Sequence, residues 1–156
     1  MKRTMIALFV VVATACIGMP TSWANPGNHT MVTPSDLKWT DVPSLPPGAK
    51  ISVIEGPMNE AVPFTVRIKL PADYKIPAHS HPGIEHVTVI TGTFHMGTGD
   101  KLDPSKTMAL PVGSVAIMQP KTTHFAWTKE ETIVQIHGFG PWAVNYVNPA
   151  DDPRKK

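Results

Sequence analysis

The chain carries 156 residues, 14 Lys/Arg against 12 Asp/Glu, a formal charge of +2 and one cysteine. That length allows a single domain. The near balance of charge excludes a nucleic-acid footprint and a polybasic membrane patch, and the lone cysteine excludes a disulfide framework.

Residues 1–24 read as a secretory signal. Lys2 and Arg3 form a short basic start, Met5 to Ile17 is an almost uncharged apolar run, and Ser22-Trp23-Ala24 presents small residues where a signal peptidase reads them. Cleavage is expected after Ala24. The apolar run is short for a bilayer and Pro20 interrupts its continuation, so no membrane insertion is expected after cleavage. Removing the signal leaves 132 residues (156 − 24), takes Lys2 and Arg3 with it, and brings the balance to 12 basic against 12 acidic residues. A periplasmic or secreted location is therefore expected. Cys16 falls inside the signal; its lipidation is the alternative, but Ala13-Thr14-Ala15-Cys16 lacks the usual leucine three positions before the cysteine.

Residues 25–49 read as a polar, turn-rich leader with an edge strand over Asp36–Val42, closed by the proline-rich turn Pro43–Gly48. Lys50–Gly56 is a second strand candidate. Phe64–Leu70 alternates cleanly, with Phe64, Val66, Ile68 and Leu70 on one face and Thr65, Arg67 and Lys69 on the other, the pattern of a half-buried strand. Further strands are expected over Ile84–Thr91, Ser114–Met118, His124–Thr128, Thr132–His137 and Trp142–Val147, with Asn148–Lys156 as a flexible tail. Seventeen prolines oppose long helices, and about ten short strands between Gly/Pro turns predict an all-β sandwich or small barrel.

Chemistry concentrates in Pro77–Gly92. His79 and His81 stand two apart, so on extended backbone they share a face, and Glu85 keeps the same parity. Two imidazoles and a carboxylate converging on one point make a mixed nitrogen/oxygen metal site. Two surface histidines beside a turn would show the same spacing. A second stretch, Gly113–His124, runs from a strand through a proline break to another histidine. Beside the Ile84–Thr91 strand, His124 completes a set of three imidazoles and one carboxylate with open positions on the metal.

These two stretches resemble the two motifs of the cupin superfamily. The first gives His79, His81, three residues, Glu85, six residues and Gly92, with Asp73 where the motif opens on glycine. Aspartate tolerates turn conformations better than most residues. The second keeps the spacing from Gly113 to His124, but Gln119 stands in place of proline, Lys121 in place of glycine and Thr128 in place of asparagine. The resemblance covers about residues 50–147. It implies a cupin-type double-stranded β-helix of six strands, a jelly-roll barrel, with one divalent transition metal (Fe, Mn, Zn or Ni) held inside by His79, His81, Glu85 and His124. It also implies oxygenase-like chemistry on a small oxygen-rich molecule, that is, a dioxygenase-like oxidoreductase, and association as a homodimer. A small-ligand-binding or metal-binding module without catalysis is the alternative; no further general acid or base identifies a catalytic residue.

The remaining candidates divide by parity. His86 adjoins Glu85 and is expected to point outward. Gln135 and His137 share a strand face and are candidate substrate contacts or donors behind the metal ligands; a histidine bonded at a strand end would look the same. Ala126 is expected on the face of His124, and Phe125 and Trp127 on the other, packed outside the barrel against an N-terminal strand or a second subunit. His95 is expected to be exposed, and His29 in the leader has no assigned role.

Overall fold

The strand over residues 63–70 shows how the barrel is built. Phe64, Val66, Ile68 and Leu70 are all buried, while the residues between them are half-buried. Each apolar side chain so removed from water contributes about 1.5–3 kcal/mol. A computed structural model gives the fold and describes residues 29–155. The signal segment 1–24, its cleavage point and Cys16 lie outside the described residues. Among the described residues, no helix is long and apolar enough to cross a membrane.

Among the described residues, eleven strands run in chain order: β1 Thr40–Asp41, β2 Lys50–Glu55, β3 Pro63–Leu70, β4 Lys75–Ser80, β5 Glu85–Thr91, β6 Phe94–Thr98, β7 Met108–Leu110, β8 Val115–Met118, β9 His124–Thr128, β10 Thr132–Phe139 and β11 Asn145–Tyr146. They form two sheets, one ordered β1-β2-β3-β10-β5-β8 and the other β11-β4-β9-β6-β7, with antiparallel pairing throughout. β10 is the spine of the first sheet. It pairs with β3 from Thr132↔Leu70 to Phe139↔Pro63 and with β5 on its other edge. Apolar residues of both sheets meet in one core that includes Phe64, Val66, Val89, Phe94, Met96 and Val134. The molecule is all-β, a double-stranded β-helix.

Several expectations change here. The sheets hold more than the six strands that the motifs imply, with six strands in one and five in the other among the described residues. The histidine stretch, read as extended backbone, is strand β4. The last strand shortens to Asn145–Tyr146. The tail is not loose over 148–155: it forms two 3₁₀ turns, Pro149–Asp151 and Pro153–Lys155. Arg154 clamps it, donating to both carboxylate oxygens of Asp152 and, through Nη2, to the carbonyl of Val144 at 2.9 Å. Phe125 and Trp127 do point outward, but residues 97–107 of the same chain meet them. Phe125 faces the 98–106 loop, and the Trp127 indole donates to Thr107 Oγ1 at 3.2 Å and stacks on His95 at 3.9 Å. His95 is accordingly half-buried. Gly97 makes this packing feasible, since a Cβ there would stand 2.4 Å from the Lys106 carbonyl oxygen and 2.8 Å from the Phe125 ring.

The two motif glycines that this chain lacks fall at the only non-glycine residues with positive φ among those described, Asp73 at 56° and Lys121 at 64°. The backbone keeps the left-handed turn the motif requires and places an ordinary side chain in it. The second turn is tied to the first motif, since the Lys121 amide donates to the His81 carbonyl at 2.8 Å.

Candidate metal centre

A bulge in β4 aims the first histidine. Ile76 pairs with Ala126 and His79 with His124, so β4 uses one residue more than β9 between those pairs. Pro77 sits in this interval, where its missing N–H deprives the ladder of nothing. Beyond the bulge, His79 and His81 both turn inward and are buried. β5 opens on Glu85, which with Val87 and Val89 forms its buried face. β9 opens on His124, buried on the same side as Ala126.

The four side chains line one small cavity of ≈ 40 Å³ between the sheets, walled otherwise by apolar groups such as Leu45, Ile68, Met96 and Val134. One nitrogen from each of His79, His81 and His124 lies within 4.8 Å of the others, and the ring centroids are 4.3–5.1 Å apart. Glu85 lies outside that trio but faces it. One of its oxygens stands 3.4 Å from His81 Nε2 and the other 3.4 Å from His124 Nε2.

The hydrogen bonds behind the rings decide what the cavity presents. His79 Nδ1 lies 2.7 Å from the Pro77 carbonyl oxygen, His81 Nδ1 lies 2.8 Å from that of Ala143, and His124 Nδ1 lies 3.0 Å from that of Thr122. A carbonyl only accepts, so each Nδ1 carries a proton and each neutral ring turns its Nε2 lone pair inward. Burial, reinforced by the neighbouring His124 and His81, lowers the His79 pKa to about 3, and burial also lowers that of His81. Burial alone would raise the Glu85 carboxyl, but the hydrogen-bonding and charge of His124 and His81 outweigh it, and its pKa falls. With the rings neutral, no donor stands between them and the Glu85 carboxylate; the hydrogen bonds and charge that hold its pKa down require a positive charge at an Nε2. His81 Nε2 in particular is buried and has no hydrogen-bond partner. Such a set is unfavourable empty of positive charge and well matched to a divalent cation.

Comparison with known families decides the lineage. The model of the ChrR cupin-like domain matches residues 27–143. The chain belongs to that cupin family. No curated protein matches the sequence. Among solved structures, this cupin resembles the polyketide cyclase RemF from Streptomyces resistomycificus (TM-score 0.68, 14% identity, 82% of this chain and 92% of that one). It also resembles an acetylacetone dioxygenase from Acinetobacter johnsonii (TM-score 0.59, 11% identity, 87% and 88%). A third likeness is to the Rhodobacter sphaeroides complex of SigE with the anti-sigma ChrR (TM-score 0.52, 16% identity, 68% and 51%). At these identities the likeness is one of fold.

The cupin barrel separates the remaining sequence candidates. Gln135 and His137 do not reach the cavity; on β10 the inward residues are Val134 and Ile136. Gln135 instead accepts from Arg67 Nε at 3.2 Å, and His137, exposed, stacks on His86 at 4.8 Å. Their alternation with buried aliphatic residues already carried this signal. The groups behind the ligands, expected as donors from Gln135 or His137, are instead backbone carbonyls that accept from Nδ1, which no residue type announces. His86 points outward, as its parity requires. Trp142 lies flat on His81 at 4.2 Å with 16° between ring planes and lines the cavity.

Proposed function

We propose that this cupin is an exported metalloprotein that holds one divalent transition metal through His79, His81, Glu85 and His124 and acts on a small oxygen-rich molecule with oxygenase-like chemistry. The observation that carries this reading is the set of three backbone carbonyls that take the Nδ1 protons and leave three Nε2 lone pairs converging beside a buried carboxylate. When bound, the metal would supply Lewis acidity and, if it is iron or manganese, a redox couple. The chain's own residues orient the donors, exclude bulk water with an apolar wall and keep the carboxylate ionised. Iron, manganese, zinc and nickel all suit a nitrogen/oxygen set, and availability outside the cytoplasm selects among them. The basic, apolar and small-residue order of residues 1–24 supports export.

The cavity limits the chemistry. At ≈ 40 Å³ it has room for only a few water-sized groups at roughly 10–15 Å³ each, so a diketone or hydroxy acid enters only if the wall moves. The second reading, a small-ligand module without turnover, draws on that same tightness. Pairing of two copies also belongs to the proposal, on the edge strand β8, where Val115 and Ile117 are 56% and 51% exposed. The test is oxygen uptake by protein loaded with Fe(II), Mn(II), Ni(II) or Zn(II) across diketones, hydroxy acids and enediols, with calorimetry alongside. Uptake lost in His81→Ala supports the oxygenase. Tight binding with no uptake for any metal supports the module. Uptake unchanged in His81→Ala refutes the site.

A further inference from the structure

Two residues of the cavity wall each hold a buried polar atom without a partner among the described residues: His81 Nε2 and Trp142 Nε1. The first is a lone pair that a metal would use. The second is different in kind, because an indole N–H only donates. Leaving a buried donor unmet costs about 1–3 kcal/mol. A phenylalanine would fill much of the same space without that penalty.

The indole is also held in place. Its ring lies on His81 at 4.2 Å and packs against Phe64 at 5.8 Å. The Trp142 amide donates to the Met58 carbonyl at 2.7 Å, and the next carbonyl, that of Ala143, takes the His81 Nδ1 proton at 2.8 Å. Residues 142–143 therefore grip His81 from its face and from its edge. The ring cannot turn to solvent without breaking the stack. Apart from the ligand set, Trp142 is the only cavity-lining residue among those described whose side chain carries a hydrogen-bond donor.

We infer that Trp142 Nε1–H donates a hydrogen bond to a small oxygen anion, of the size of formate, held in the cavity beside the three histidines. The inference rests on the metal reading, since the anion needs the cation's charge. The cavity volume admits a ligand of a few atoms and excludes an aromatic carboxylate. The indole then selects acceptors over apolar molecules of equal size.

The experiment uses the zinc-loaded protein with its tryptophan indoles labelled with nitrogen-15. The Trp142 signal is identified by its contacts with the His81 ring and by its loss in Trp142→Phe. Formate is expected to move that indole proton downfield and to leave those of Trp39 and Trp127 in place. In the cobalt(II) form at saturating metal, whose visible absorption reads anion binding, Trp142→Phe is expected to bind formate roughly tenfold more weakly. An indole signal unmoved at saturating formate would mean that the N–H meets water only, and that overturns the proposal even if the variant misfolds. So does unchanged formate affinity in Trp142→Phe. Failure of zinc to bind wild-type protein, read by chelator competition before formate is added, overturns the metal reading and this proposal with it. Zinc uptake with a stationary indole overturns the proposal alone.

Discussion

Replacing Glu85 by glutamine should stabilise the metal-free protein and shrink the stabilisation that zinc adds. In the metal-free protein the carboxylate is 3% exposed and faces two imidazole nitrogens at 3.4 Å, at the long limit for a hydrogen bond. Glutamine keeps the shape, removes the buried charge and offers an amide donor to one Nε2. Relief of an unsatisfied buried group is worth about 1–3 kcal/mol, or about 4–12 °C in Tm at about 4 °C per kcal/mol for a domain of this size. Zinc then adds less to the variant than to wild type. Free metal at about 1,000 times Kd stabilises wild-type protein by about 4 kcal/mol, near 16 °C. A hundredfold loss of affinity leaves about 1.4 kcal/mol, near 6 °C. Thermal melts of both proteins in chelator and in zinc measure all four values. A lower metal-free Tm in Glu85→Gln, or an undiminished zinc increment, would refute the electrostatic account of the cavity.

Other expectations rest on the same geometry. Gln135→Ala and His137→Ala should each leave zinc affinity within about twofold of wild type by chelator competition, because both side chains lie on the outer face of β10. Lys121→Gly should be neutral or stabilising by up to about 1 kcal/mol, and Lys121→Val destabilising by more than about 1 kcal/mol in denaturant melts, because φ is 64° there. Both tyrosines of the chain should titrate late. Burial, aided by Asp152, pushes Tyr146 up to about 12, and burial with Tyr146 nearby raises Tyr74 further. A folded-state pKa above the unfolded value of about 10 gives stability that is complete below pH 10 and lost as pH rises toward 12. Absorbance at alkaline pH should therefore show tyrosinate appearing together with unfolding, and reversible ionisation of both tyrosines near pH 10 in folded protein would contradict this.

Much of the barrel could be read from alternation, which is strong wherever one strand face is buried. Phe64–Leu70 and the His79/His81 pair obey it, and the Gly113–His124 spacing brings the third histidine to the cavity through a turn that survives the loss of its glycine. The β4 bulge was less legible, because Pro77 does not say which register it leads into. The outward placement of Gln135 and His137 was legible in Val134 and Ile136, since burying two aliphatic side chains outweighs bringing two polar ones toward a metal. The carbonyls of Pro77, Thr122 and Ala143 had no side-chain signature at all. The stack of Trp142 on His81 joins residues 61 apart in sequence, and the Arg154 clamp on Val144 depends on where the last turns fall. Such contacts are set by tertiary packing rather than by local pattern.

The central claim is that His79, His81, Glu85 and His124 form a metal centre, and elemental analysis of the purified protein, without added metal or chelator, tests it most directly. The account predicts about one divalent transition-metal ion per chain, falling below about 0.1 in a variant carrying His79→Ala, His81→Ala and His124→Ala together. A folded wild-type protein that carries no metal and takes none up, or a triple variant with undiminished metal, would contradict it.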